Sequence, residues 1–217
     1  MKVKVWDGGV RLFHWVLVIL FTLSAYSAFQ DKFGIYADIH IYSGVAILTL
    51  VIWRILWGIV GSDTARFSHF VRGPGATLRY LGKAFRRAPY TRVGHNPLGA
   101  VSVALLLMLL LAQPILGLYG TDAMFFEGPL AHTIDSDLAE GLTEIHEWIG
   151  YTLLGLVGLH LLAIAAYALI RRANLISPMI TGKKQVAQGT AAPKMRSPFL
   201  ALGLFVIVAA GVWFSVF

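Results

Sequence analysis

Five stretches of this chain are too long and too apolar to be the core of a water-soluble domain. They run Leu12–Phe29, Ile41–Val60, Leu98–Leu118, Ile145–Ile170 and Phe199–Phe217. A helix crosses about 30 Å of hydrocarbon with roughly 20 residues, so each stretch reaches across a bilayer. Backbone groups inside lipid must be satisfied within their own segment, and a helix does this. The expected fold is an all-α membrane protein. Composition agrees: 57% of residues are hydrophobic and 13% charged, against about a quarter charged in a soluble domain. Basic residues precede the first stretch and Ser24-Ala25-Tyr26-Ser27-Ala28 closes it, which imitates a cleavable signal. We read it as retained, because cleavage would discard His14.

The net charge of +7 is distributed as a topology signal. Lys2, Lys4 and Arg11 precede the first span. Arg66, Arg72, Arg79, Lys83, Arg86, Arg87 and Arg92 follow the second, and Arg171, Arg172, Lys183, Lys184, Lys194 and Arg196 follow the fourth. With five spans these regions share one side, which then holds 16 of the 18 basic residues. The opposite loops hold Lys32 against Asp31, Asp38, Asp122, Glu127, Asp135, Asp137, Glu140 and Glu144. The positive-inside rule places the basic side, and with it the N-terminus, in the cytoplasm and the C-terminus outside. The charge is accordingly no nucleic-acid footprint, and no nucleic-acid motif is present. The chain has no cysteine. That excludes thioether-linked c-type heme, iron–sulfur clusters ligated by this chain, thiolate zinc sites and disulfides. Within the long loop Gly61–Asn96, the spacing of Leu78, Leu81 and Phe85 predicts an interfacial amphipathic helix around Ala76–Arg87. Residues Thr181–Ser197 read as a small-residue linker.

Four histidines stand out: His14, His40, His146 and His160. His146 and His160 are 14 residues apart on one apolar run. At about 100° and 1.5 Å per residue, that spacing returns the side chain to within about 40° of the same face, about 21 Å further along. Ionisable residues inside a span are costly and mark function. Following the chain through alternate directions, His14 and His160 come to one depth near the basic side. His40 and His146 come to another near the acidic side. Each pair offers one imidazole from each of two helices, which suits a heme iron held on both axial positions. A lone histidine at a span end is commonly interfacial, and His40 and His146 taken singly fit that. His14 and His160 do not, since apolar residues surround them.

Arg54 lies inside Val51-Ile52-Trp53-Arg54-Ile55-Leu56-Trp57, 14 residues after His40 and so on nearly the same face. Two readings stay open: an anchor for a heme propionate, or a side chain snorkelling to the interface. Gly44, Gly150, Gly155 and Gly158 would let a flat macrocycle approach the backbone, and equally serve helix packing. His95, in Gly94-His95-Asn96-Pro97-Leu98-Gly99, is read as facing a propionate or a quinone, or as a helix cap. His69 and His132 read as solvated loop residues.

The chain resembles bacterial cytochrome b561 proteins and the b-type cytochrome subunit of nickel–iron hydrogenases. The resemblance runs from about Val5 to Lys184. Its landmarks are Val5-Trp6-Asp7, Val10-Arg11-Leu12-Phe13-His14-Trp15, His40 with Gly44, Arg54-Ile55-Leu56-Trp57-Gly58 and Ala65-Arg66-Phe67. Gly94–Gly99, Ile145-His146-Glu147-Trp148, His160 and Met179-Ile180-Thr181-Gly182-Lys183 complete the set. The resemblance implies a four-helix core, residues 1–184, carrying two b-type hemes on His14, His40, His146 and His160. Residues 185–217 are then a linker and a fifth transmembrane helix outside that core. It further implies an inner-membrane protein passing electrons between the quinone pool and a periplasmic redox protein. That partner would be a cytochrome c or a catalytic subunit, and the acidic outer loop suits a basic one. Iron with two imidazoles has no open position, so the role is electron transfer and no residue is assigned as catalytic. Two alternatives remain within the resemblance: a stand-alone superoxide/quinone oxidoreductase, and a heme-bearing anchor subunit of a hydrogenase-like complex, with the fifth span as docking helix. A transporter using the histidines as an ion path would need intramembrane carboxylates, and the apolar cores contain none.

Overall fold

The computed structural model describes residues 1–31, 33–71, 73–84 and 93–217. Five helices among the described residues are long and apolar enough to cross a membrane. They are α1 (Gly8–Ala28), α2 (Ile35–Val60), α5 (Pro97–Tyr119), α6 (Ser136–Arg171) and α8 (Pro198–Val216). Shorter helices α3 (Phe67–Phe70), α4 (Pro74–Ala84) and α7 (Ile176–Thr181) lie between them, with strands β1 (Lys2–Lys4) and β2 (Lys183–Gln185).

Each long helix starts where its sequence allows. Asp7 caps α1 by accepting the Val10 N–H at 2.8 Å, and Asn96 caps α5 by accepting the Gly99 N–H at 2.7 Å, with Pro97 following. Asp135 caps α6 and Ser197 caps α8 in the same manner. Two helices extend beyond their apolar runs, α6 from its Asp135 cap and α2 from Gly34, which makes no side-chain cap bond. α2 starts six residues before Ile41 and α6 nine before Ile145, so His40 and His146 lie inside helices rather than at their ends. At 36 residues, α6 is about 54 Å long, far more than the hydrocarbon needs, and its N-terminal turns extend beyond it at the acidic end. Where a helix was expected at Ala76–Arg87, α4 covers Ala76 to Ala84; the Leu81 side chain, Phe85 and Arg87 lie outside the described residues, as do Lys32, Arg72, Arg86 and Arg92.

The packing order follows the chain. α1 packs on α2, α2 on α5 and α5 on α6, while α8 lies against α2 and α1. α1 and α6 do not pack closely on each other; a gap separates them. α2 is the central helix, with Val51 and Trp57 at 0% and 1% exposure. Gly58 is required there, because a Cβ would stand 2.1 Å from the Phe67 ring of α3.

At the basic end the backbone is tied into a knot. β1 and β2 pair antiparallel, Lys2 opposite Gln185 and Lys4 opposite Lys183. The N-terminal ammonium donates to the Val186 carbonyl at 2.9 Å, and Thr64 Oγ1 donates to the Val5 carbonyl at 2.5 Å. Asp63 and Lys194 exchange two bonds, the Asp63 N–H to the Lys194 carbonyl at 3.1 Å and the Lys194 N–H to Asp63 Oδ2 at 2.9 Å. The Arg196 N–H donates to Ser62 Oγ at 3.0 Å. The segment read as a plain linker thus carries a strand and holds three parts of the chain on one side. That agrees with the sidedness of the basic residues.

Candidate functional site

A cavity of about 260 Å³ opens between α1, α2, α5 and α6 toward the acidic end. His40 and His146 both line it, and their ring centres are 5.9 Å apart with planes at 78°. Metal–imidazole bonds are about 2.0 Å long, so two histidines on opposite sides of one iron place their ring centres roughly 6 Å apart. The separation therefore fits an axial pair.

The outward nitrogens strengthen this reading. His40 Nδ1–H donates to the Ser24 carbonyl on α1 at 3.0 Å, with Ser27 Oγ 3.3 Å away. His146 Nδ1–H donates to the Gln113 carbonyl on α5 at 2.8 Å. Each neutral ring is then held in the tautomer that leaves Nε2 with a free lone pair, the usual arrangement of a ligating histidine. Both acceptors are main-chain carbonyls on a neighbouring helix. The cavity thus has its ligands aimed by α1 and α5 and carried by α2 and α6.

Three glycines shape this space. Gly117 lies under the His146 ring; a Cβ there would stand 2.8 Å from His146 Cε1. Gly44 and Gly150 line the cavity walls, and a Cβ on Gly44 would meet no atom within 4 Å, so its flank is open. Gly155 and Gly158 likewise face open space. Sequence reasoning found Gly44 and Gly150 but missed Gly117, Gln113 and Ser24. Pro114 interrupts α5 next to Gln113, but the carbonyl it frees is that of Leu110 four residues earlier, so no side chain in the sequence pointed to the Gln113 carbonyl.

The second pair is more open. His14 and His160 stand across the gap between α1 and α6, close enough to interact electrostatically. His14 Nδ1 is buried and, among the described residues, has no hydrogen-bond partner. No group of three or more His, Cys, Asp or Glu side chains gathers as a metal site among the described residues. The histidines come in twos, which is what a porphyrin iron asks of a protein.

Arg54 is 3% exposed. Its Nη2 donates to the Ala65 carbonyl at 3.2 Å, its guanidinium stands 5.4 Å from the Phe67 ring centre, and the charge of Asp7 is within reach. Nη1 is buried without a partner among the described residues. That orphaned donor fits an anionic group.

His95 is outside the outer cavity. Its ring sits between Trp6 and Phe70, at centre distances of 4.8 and 4.6 Å, in a basic-end pocket with Thr64 and Pro193. The α5 cap is Asn96, so His95 is free of that role. Burial, with the Arg54 charge adding, pushes its pKa down to about 4. Between that value and about 6.5 the unfolded chain binds the proton and the folded chain does not, so folding stability rises with pH across this window. The His95 contribution is complete above pH 6.5 and lost as pH falls toward 4. A thermal-stability profile over that range should fall on acidification in the native chain and fall less in His95→Gln; parallel profiles would contradict it. His69 and His132 are exposed, as read from the sequence.

A spanning helical bundle in which half-buried His40 and His146 face each other across a cavity fits a membrane b-type cytochrome, a protein of electron transfer. The family model described as prokaryotic cytochrome b561 matches residues 5–182, and the chain belongs to that family. No curated protein and no solved structure matched the chain.

Proposed function

We propose that this chain is a two-heme electron conduit of the bacterial inner membrane, linking the quinone pool to a periplasmic redox protein. The observation that carries the reading is the His40–His146 pair, 5.9 Å between ring centres with both Nδ1 atoms bound to carbonyls. His14 and His160 hold the second heme, about 21 Å deeper along α6. Heme supplies reversible one-electron iron chemistry, and the protein's part is to fix the axial rings and exclude water. The partnerless Nη1 of Arg54 supports a propionate contact. The basic-end pocket, of mixed lining with Thr64 and a neutral His95 beside Phe70 and Val93, offers both hydrogen-bonding and ring contacts to a quinone headgroup. The charge asymmetry supports a cytoplasmic N-terminus and a periplasmic C-terminus. The core is then residues 1–184, with residues 185–217 added to it.

The test is a dithionite-reduced minus oxidised spectrum of the purified chain, with a pyridine hemochrome count. About two b hemes per chain are expected. One heme would mean that a ligand pair is misassigned, and none in folded protein would end the reading.

A further inference from the structure

We infer that Trp53, Trp57 and Asp7 are positioning residues for His14, and that the fifth helix is part of the inner ligand site rather than an appended anchor. The inference rests on the two-heme reading above.

The contacts form an unbroken relay from α8 to α1. Trp53 on α2 donates its Nε1–H to the Ala201 carbonyl of α8 at 2.9 Å, a buried bond. Trp53 stacks on Trp57 one turn later, with ring centres 5.7 Å apart and planes at 11°. Trp57, 1% exposed, donates its Nε1–H to Asp7 Oδ2 at 3.1 Å. The other Asp7 oxygen caps α1. Both carboxylate oxygens are therefore committed, one to the helix that carries His14 and one to the tryptophan stack.

α1 also abuts the stack directly. A Cβ on Gly9 would come within 3.0 Å of Trp53 Cη2, and the ring of Phe13, the neighbour of His14, stands 6.2 Å from Trp53. On its other flank Arg11 Nη1 donates to the Ile180 carbonyl at 2.5 Å and Trp15 Nε1 to the Met179 carbonyl at 3.3 Å. The first two turns of α1 are gripped from both sides. This matters because α1 and α6 do not pack closely on each other, so α6 does not locate His14. The grip comes instead from α2, on which α1 packs, from α7 and, through Trp53, from α8, which lies beyond the family match at residue 182.

The experiment compares Trp53→Phe and Trp57→Phe in the full-length chain with Trp213→Phe, which removes a half-exposed indole from α8. Readouts are hemes per chain and a redox titration that resolves two midpoint potentials. Trp53→Phe and Trp57→Phe should each shift the potential of the heme lost in His14→Ala and lower its retention roughly two- to tenfold, the worth of one hydrogen bond. The other heme should stay put, Trp213→Phe should change neither, and the double variant should be little worse than either single one. Unmoved potentials, or equal shifts in both hemes, would overturn the relay. If the tryptophan variants do not accumulate, Asp7→Asn decides. Asparagine still caps α1 through Oδ1, but its Nδ2 cannot accept from Trp57 Nε1–H, so that bond is lost. Because the change also removes a charge near Arg54, retention of the heme lost in His14→Ala is the readout; a selective fall supports the relay and no fall overturns it. A native chain with fewer than two hemes would overturn the two-heme reading itself.

Discussion

Replacing His160 with alanine should take the chain from about two hemes to about one, and replacing His40 should remove the other heme. On the proposed reading each heme would be held by two histidines from different helices, so removing one would leave a single imidazole to retain it. The two variants should differ in which potential disappears from a redox titration. His14→Ala should then reproduce His160→Ala, and His146→Ala should reproduce His40→Ala, because the pairs are His14 with His160 and His40 with His146. Electron transfer across the bundle should stop in all four, since the hemes act in series. The outcome fatal to the pairing is a crossed pattern, with His14→Ala and His40→Ala losing the same heme.

Gly117→Ala should be nearly as damaging although it removes no ligand. The new Cβ would lie 2.8 Å from Cε1 and 3.1 Å from Nδ1 of His146. The imidazole cannot yield without breaking its bond to the Gln113 carbonyl. Losing a bond that orients a ligating histidine lowers metal affinity roughly 10- to 100-fold. The expected result is selective loss of the heme of His40 and His146, measured as heme retention through detergent washing, with the other heme intact. Gly44→Ala is the contrast, because a Cβ there meets no protein atom within 4 Å; if Gly117→Ala behaved no differently from wild type, the packing argument would fail.

The spans, and the common depth that brings His40 opposite His146, were legible because both are written in side chains. An unbroken apolar run and a histidine within it are visible one residue at a time, and depth follows from 1.5 Å per residue, roughly. What aims the ligands was not legible. Ser24 and Gln113 act through main-chain carbonyls, which every residue possesses, and Gly117 acts through a missing side chain. The helix starts were underestimated for a related reason. Ile35 and Ser136 precede the apolar runs, and polar turns outside the hydrocarbon extend α2 and α6. The knot at the basic end was hidden for another reason. Strands of three residues, Lys2–Lys4 and Lys183–Gln185, have no periodicity to read, and their partners are about the whole chain apart.

That knot also sets an order of construction. The ribosome makes the chain from its first residue, yet Met1, Val5 and Trp6 bind Val186 and Gly182. Those backbone bonds can therefore form only after Gly182 and Val186 have been made, although Val5 and Trp6 already have Thr64 and His95 as neighbours. The residues around the acidic-end cavity, His40, Gln113 and His146 among them, all precede that point in the chain. The strand pair therefore closes only after α7 is in place, so a chain cut anywhere before Gly182 would lack the backbone bonds that hold its opening residues against the basic end.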